Sequence, residues 1–325
     1  VLFLLLLITF FSSLFMGRYT ISPENTFIVL VNALQGNIAQ DMNSSIILGM
    51  RLPRTILSML LGAGLAIAGS TYQGIFRNPL VSPDVLGVSS GAGFGSVLGI
   101  LLFGMSATTS ILAFVFGLGS VFLTYLFARA RGQTTMMSLV LSGMIVSAIF
   151  AALISLVKYV ADPYDALPAI TYWLMGSFSK ATFEDLRYIF IPLTASLAVL
   201  NLVRWRINIL SLGEEESKSL GVNPTRIKFI AIIASTVLTA LSVTVVGIVG
   251  WVGLVIPHIT RLLFGVDHKV LLPASCFIGA IFLTVVDIVS RSVISAEIPI
   301  GIITALLGAP FFGFLLKYTN QKGDW

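Results

Sequence analysis

Few residues in this chain could do chemistry, and those inside apolar stretches are the first candidates. Asp287 is the one acidic residue placed well inside such a stretch, and Arg291 follows it by four positions, so the two share a helical face. An ionisable group inside a membrane-spanning segment is a candidate for function. The simpler interpretation is a structural ion pair near the end of a helix.

Three arginines, Arg51, Arg54 and Arg291, each lie where an apolar stretch begins or ends. Long basic side chains at such positions often extend toward lipid headgroups. The alternative is a docking surface for an acidic partner, because guanidinium groups bind carboxylates through charge-assisted and bidentate contacts. Residue type and position leave both interpretations open.

No catalytic or metal-binding pattern is present. The two histidines, His258 and His268, lack the cysteine or carboxylate spacing of a metal cage. The HExxH, GxSxG and GxxxxGK[ST] motifs are missing from the sequence. We therefore expect no catalytic, cofactor or metal site on this chain. If ATP and Mg²⁺ are used, we expect a separate polypeptide to bind them.

Composition indicates a single membrane domain over residues 1–325. The 325 residues are 57% hydrophobic and 10% charged, with a mean hydropathy of +1.00. A soluble domain has about 25% charged residues, so a soluble fold is excluded. Apolar stretches of about 20 residues recur, as in polytopic α-helical proteins. The ten predicted spans are 1–17, 52–73, 85–103, 108–128, 136–157, 186–203, 227–245, 248–264, 270–290 and 299–316.

The distribution of basic residues favours cytoplasmic N and C termini. With the first span starting inside, twelve of the nineteen lysines and arginines fall in cytoplasmic connections. Cytoplasmic loops carry the excess of such residues in membrane proteins. The pI near 9.4 is thus explained by membrane topology, and no nucleic acid partner is expected.

Glycine and proline mark two local features. Gly87, Gly91, Gly95 and Gly99 recur at four-residue spacing, which predicts a helix-packing seam. The span at 248–264 is glycine-rich and contains Pro257, so it is either a full span or a helix that breaks partway. A weak internal similarity also aligns residues 51–64 with 297–310.

The connector "SLGEEESKSLGVN" (211–223) predicts a short helix over about 211–222. Ser211 would cap it, with Glu214 completing a capping box. Acidic residues in the first turn interact favourably with the helix dipole, and Gly221 would end the helix. The other predicted residues of this segment are Leu212, Gly213, Glu215, Glu216 and Leu220. The helix is either a solvated connector or a segment seated in a cytosolic partner.

Four segments together resemble the FecCD-type permeases, the membrane subunits of type II ABC importers. They are "RLPRTILSMLLGAGLAIAGSTYQGIFRNPLVSPDVLGVSSGAGFG", "SLGEEESKSLGV", "GWVGLVIPHITRLLFGVDHKVLLP" and "DIVSRSVISAEIPIGIITALLGAPFFGFLL". The resemblance covers nearly the whole chain and rests on several motifs in order.

The resemblance implies partners and site residues. It implies ten helices per subunit, a homodimer, two cytosolic ATPases and a periplasmic or extracellular substrate-binding protein. Arg51, Arg54 and Arg291 match the family's docking arginines, and residues 211–222 match its coupling helix, which contacts the ATPase. The fifth and tenth helices line the path in relatives. The path and gate residues expected here are Thr134, Thr135, Ser142, Gly143 and Ser147.

The expected function is ATP-driven import through a bacterial inner membrane. The resemblance implies a metal-containing cargo, either an iron-siderophore, haem or cobalamin, or a small oxyanion such as molybdate or tungstate. The alternative is a secondary carrier that works alone, which is disfavoured because few carboxylates lie in the spans. A membrane scaffold without a transport path is a third class.

Overall fold

Every regular element in the described part of the chain is helical. The computed structural model describes residues 1–37, 39–129, 135–294 and 296–322. A π-helical turn covers Ser45–Arg51, and a 3-10 turn covers Pro83–Leu86. The helices are α1 (Leu2–Phe15), α2 (Pro23–Leu34), α3 (Met42–Ser44), α4 (Leu52–Phe76), α5 (Val88–Phe103), α6 (Ala107–Ala128), α7 (Met136–Val160), α8 (Ala166–Leu174), α9 (Phe183–Leu212), α10 (Glu214–Ser219), α11 (Pro224–Val246), α12 (Val252–Phe264), α13 (His268–Ser292) and α14 (Ile300–Lys322).

The ten predicted spans correspond one to one with ten apolar helices of the described chain. Six are long and apolar enough to cross a membrane, namely Met42–Phe76, α6, α7, α9, α11 and α13. Four are shorter, namely α1, α5, α12 and Ile300–Phe314 of α14. The all-α polytopic fold is confirmed. The helices α2, α8 and α10 lie in the connections between these spans.

Helix α4 is the central element of the bundle. It packs against α9, α11, α12 and α13, and most of its side chains are buried. Its "LGAGLAIAGS" segment supplies small side chains on every face, so several helices can approach it at once. With 25 residues it is about 37 Å long, which is enough to connect the two ends of the bundle.

The contact between α4 and α13 is antiparallel, with small and polar residues along it. A Cβ added to Gly62 would lie 2.3 Å from the carbonyl oxygen of Gly279, and one added to Gly279 would lie 2.4 Å from that of Gly62. One turn away, Ser58 Oγ and Thr284 Oγ1 are hydrogen-bonded at 2.9 Å. The two backbones therefore touch, and hydrogen bonds across the seam fix their register.

The glycine stripe of α5 packs against α6, as the four-residue spacing predicts. A Cβ on Gly91 would lie 2.5 Å from the Phe116 oxygen, and one on Gly95 would lie 2.3 Å from the Leu112 oxygen. Gly99 faces the backbone of Thr109 in the same way. The seam is confirmed at Gly91, Gly95 and Gly99. Gly87 is not part of it, because it precedes α5 with a φ of 83° and lies against Ser147 and Val146 of α7.

The helix predicted over 248–264 begins later than expected, because the residues between α11 and α12 are not helical. Helix α11 ends at Val246, and Trp251 adopts a φ of 70° immediately before α12. The 13 residues of α12 extend about 20 Å, which is less than the roughly 30 Å of a bilayer core. The predicted span is therefore a shorter helix that is continuous through Pro257, and the break lies before it and not partway along it.

The α4–α13 seam predicts the effect of adding one methyl group at Gly62. Gly62→Ala places a Cβ against backbone, where overpacking costs about 1–3 kcal/mol and outweighs a propensity gain of about 1 kcal/mol. We expect a lower thermal unfolding midpoint for the purified protein in detergent. The matched control is Gly119→Ala in α6, whose Cβ would meet no atom within 4 Å. Equal midpoints for the two variants would contradict the close contact.

Candidate functional site

Two polar clusters lie at opposite ends of α4. The arginine end contains Arg51, Arg54, Asp287, Arg291 and Glu297. The glutamate end contains Arg77, the end of α9, and α10. Each is built from residues that are distant in sequence.

Asp287 is the centre of the arginine end. Its carboxyl is fully buried and accepts a hydrogen bond from Arg54 Nε at 2.8 Å. Arg54 NH2 lies 2.8 Å from the same oxygen, and Arg291 Nε lies 3.4 Å from the other oxygen. The predicted pair between Asp287 and Arg291 is present, and it is one part of a larger network. A single carboxylate thus links α4 to α13.

Glu297 is the second carboxylate at this end, and sequence reasoning missed it. Its Oε1 accepts a hydrogen bond from Arg54 NH1 at 2.8 Å. Glu297 lies in the connection between α13 and α14, and 32% of its side chain is exposed. A signal was available, because Glu297 takes the place of Arg51 in the alignment of 51–64 with 297–310.

Helix α1 is tied to this network through hydrogen bonds. Arg291 NH2 donates to the carbonyl oxygen and the Oγ of Ser13 at 2.7 and 2.6 Å. Ser13 Oγ also lies 2.7 Å from Thr55 Oγ1 on α4. Arg51 donates from NH1 to the Leu14 oxygen at 2.8 Å and from NH2 to the Tyr19 oxygen.

The predicted docking arginines are therefore buried and engaged within this chain. Arg51, Arg54 and Arg291 are 5%, 7% and 7% exposed. The interpretation that they extend toward lipid headgroups is wrong, because Asp287, Glu297 and backbone carbonyls hold them inside the bundle. Three guanidinium groups face two carboxylates, which leaves one positive charge in excess. Their role in docking stays a prediction.

At the glutamate end, the predicted capping box is wrong. Ser211 lies in the last turn of α9, where its Oγ donates to the Asn208 oxygen at 2.6 Å. The break between helices falls at Gly213, whose φ of 147° favours glycine, and no side chain caps α10. Helix α9 continues to residue 212 because its apolar pattern does not stop at residue 203.

The predicted end of this helix at Gly221 is confirmed. Gly221 has a φ of 77°, and its N–H donates to the Lys218 oxygen at 3.0 Å. The N–H of Val222 donates to the Ser217 oxygen at 2.9 Å. This is a Schellman motif, and it fixes where the chain leaves α10.

The three adjacent glutamates are in different environments. Glu214 is bonded to Lys228 of α11, and this contact lowers the pKa of Glu214 below its usual value. The side chain of Glu215 is 86% exposed and pairs with Lys218 at 3.1 Å. The Glu216 carboxylate lies over Gly213, where a Cβ would approach it closely. Glu215 is therefore the glutamate most available to a partner.

The rest of α10 has a buried side and an exposed apolar side. Ser217 is fully buried, and its Oγ donates to the Ile209 oxygen at 3.0 Å, which holds α10 against α9. Leu212 and Leu220 are 62% and 57% exposed and flank the helix. These two leucines give the segment an apolar surface, as the sequence predicted.

Arg77 links this segment to α4. It ends α4 with a φ of 51°, and its Nε and NH2 donate to the Leu210 oxygen at 3.1 and 2.6 Å. Sequence reasoning counted Arg77 only as a basic loop residue. Because Leu210 lies near the end of α9, three residues before Gly213, the start of α10 is directly connected to the central helix.

The structure places the predicted path residues in different environments. Thr134 lies outside the described residues, and Thr135 caps α7 by accepting from the Ser138 N–H at 3.1 Å. Ser142 and Gly143 are buried, and Gly143 packs on the 3-10 turn, where a Cβ would lie 2.0 Å from the Val85 oxygen. For Gly143 this is a helix-packing contact.

Ser147 lines a cavity of about 520 Å³ beside the 3-10 turn. Asp84 lines the same cavity, and its carboxylate accepts a hydrogen bond from Ser89. Asp84 was missed because it is in a turn and not in an apolar helix. Whether these residues line a transport path stays a prediction.

Among the residues that the structure describes, no group of three histidines, cysteines or carboxylates could hold a metal ion. The clusters at the two ends of α4 instead have the chemistry of protein contacts. Guanidinium groups lie at one end, and a charged helix flanked by exposed leucines lies at the other.

Comparison with known proteins matches the chain over nearly its whole length. The sequence model of the FecCD transport family matches residues 5–318. A molybdate import system permease protein of Haemophilus influenzae is 43% identical, over 98% of this chain and 95% of the relative. A probable iron chelatin transport system permease of Helicobacter pylori is also 43% identical, over 85% and 84%.

A solved structure has the same fold. It is described as an inward-facing conformation of a metal-chelate type ABC transporter and is 42% identical to this chain. The TM-score is 0.87, and the match covers 98% of this chain and 97% of that one. The type II ABC permease fold is thus confirmed.

The burial of Asp287 predicts that neutralising it destabilises the protein. Asp287→Asn leaves Arg54 and Arg291 without their common carboxylate, and breaking such a buried pair costs about 3–5 kcal/mol. We expect a clearly lower thermal unfolding midpoint in detergent. Asp165→Asn, at an exposed position before α8, is the matched control. If both variants unfold at the wild-type temperature, Asp287 does not hold the network.

Proposed function

The chain belongs to the FecCD transport family as a transport permease and not an enzyme, and from that membership we propose that two copies of it form the path of a binding-protein-dependent ABC importer. ATP and Mg²⁺ bind to two separate cytosolic ATPase subunits. The glutamate end faces the cytosol and the arginine end faces the outside of a bacterial inner membrane. Both termini are then cytoplasmic.

The observation that carries this mechanism is the continuity of α4 between the two polar clusters. An ATPase that moves α10 also moves α9, because Ser217 binds the Ile209 oxygen. Arg77 passes that motion to α4 through the Leu210 oxygen. Since α4 is a single helix with close backbone contacts to α13, a shift at one end changes the other end.

Transport then proceeds by alternating access. A loaded binding protein docks at the arginine end and releases its cargo into the cavity between the two permeases. ATP binding and hydrolysis move α10, open one gate and close the other. This chain supplies the path and the moving elements and makes no covalent bond to the cargo.

The proposed cargo is a metal-containing compound. The two named relatives, for molybdate and for an iron chelate, have equal identity to this chain, so their names support the class and not the compound. Haem and cobalamin are members of the same cargo class by family resemblance. A conduit must release what it admits, so the binding protein sets the choice among them.

Reconstitution tests the proposal. Purified permease, ATPase and binding protein are placed in liposomes, and uptake is measured for molybdate, tungstate, a ferric siderophore, haem and cobalamin. We expect uptake of one of them, dependent on ATP and on the binding protein. The control contains an ATPase subunit that binds ATP without hydrolysing it. Gradient-driven flux through the permease alone would support the secondary carrier instead.

The exposed leucines beside α10 predict where the ATPase binds. Leu212→Ser with Leu220→Ser removes apolar contacts at the proposed interface, and we expect ATPase association to weaken about tenfold or more. The permease itself keeps its stability, because both side chains are exposed. Leu34→Ser, an 89% exposed leucine of α2 toward the other end, is the matched control. ATPase affinity unchanged by the double substitution would remove α10 from the interface.

A further inference from the structure

Arg54 has two carboxylate partners, and they differ in how easily they can be exchanged. Asp287 is fully buried, lies in the middle of a helical contact and serves two arginines. Glu297 is 32% exposed, contacts only NH1 of Arg54 and lies outside any helix, whereas Asp287 contacts both Nε and NH2. Glu297 is therefore the weaker and more accessible of the two.

We infer that Glu297 is a placeholder that occupies Arg54 until a carboxylate of the substrate-binding protein replaces it. The inference rests on the proposed function, because it requires an acidic partner at the arginine end. It adds that docking exchanges one carboxylate for another at Arg54 NH1. The exchange forms and breaks no covalent bond.

The physical reason for a placeholder is the burial of Arg54. At 7% exposure, the Arg54 guanidinium is poorly hydrated, and its other carboxylate partner, Asp287, is shared with Arg291. Glu297 supplies a second carboxylate in the undocked protein. Replacing it with a chemically equal carboxylate keeps NH1 of Arg54 paired throughout the exchange.

The exchange also has a structural consequence. Glu297 lies two residues before Pro299, after which α14 begins. The start of α14 remains held, because Ile300 N donates to the Gly176 oxygen at 2.9 Å and Ser290 Oγ donates to the Ile298 oxygen at 2.6 Å. Loss of the Arg54 contact therefore frees the segment Ala296–Glu297 and leaves the helix start in place.

The first test measures how tightly the Glu297→Gln permease binds the substrate-binding protein. The complete permease–ATPase complex in nanodiscs is titrated with the substrate-binding protein of the same import system. We expect about tenfold tighter binding than wild type, because Arg54 no longer has to give up a carboxylate. The salt dependence of binding should also steepen, because docking now adds an ion pair instead of exchanging one.

The control is Glu184→Gln, which changes an exposed glutamate in the first turn of α9. It should bind as wild type does. Unchanged or weaker binding by Glu297→Gln would overturn the placeholder role. Arg54→Gln distinguishes failure of the carboxylate exchange from failure of docking at Arg54. If it loses binding while Glu297→Gln gains none, only the exchange fails. If it binds as tightly as wild type, docking at Arg54 fails too.

A spin label tests the exchange with Arg54 intact. Ala296→Cys is labelled in a Cys276→Ala background, since Cys276 is the one native cysteine. We expect label mobility to rise when the binding protein is added, and to be high already when Glu297→Gln is also present. A label that stays equally immobile before and after docking would refute the release of this segment.

Discussion

The packing of α4 against α13 depends on one buried carboxylate, that of Asp287, which binds arginines from both helices. An unpaired charge there would be very unfavourable, so α4 and α13 are held in one register at this point. Gly62 and Gly279 continue the same contact two turns away, where the backbones touch. The ion pair sets the register, and the glycines set the distance.

In the proposed mechanism, this rigidity gives α4 a mechanical role. A helix whose neighbours contact its backbone cannot bend easily at one end alone. Arg77 and Ser217 connect its far end to α9 and α10 through hydrogen bonds to backbone carbonyls. The structure thus provides a continuous set of contacts from the charged α10 segment to the arginine end, with no flexible linker between them.

In the proposed mechanism, the arginine end is a docking surface without exposed unpaired charge. Its guanidinium groups are already satisfied by carboxylates and carbonyl oxygens within the chain. Such a surface is stable in the absence of a partner. Its ability to bind one depends on internal contacts that can be exchanged, and position and accessibility distinguish Glu297 from Asp287 in this respect.

The sequence by itself determined the ten apolar helices, the seam along Gly91 and Gly95, and the stop at Gly221, because hydropathy, helical spacing and glycine's conformational freedom are local properties. It did not determine the cap of α10, since local spacing at Ser211 could not show that α9 continues to residue 212. Only the tertiary structure decided that Glu297 meets Arg54 and that Glu214 turns to Lys228. Those pairs join residues on different elements of the fold, and their partners are set by packing and not by spacing along the chain.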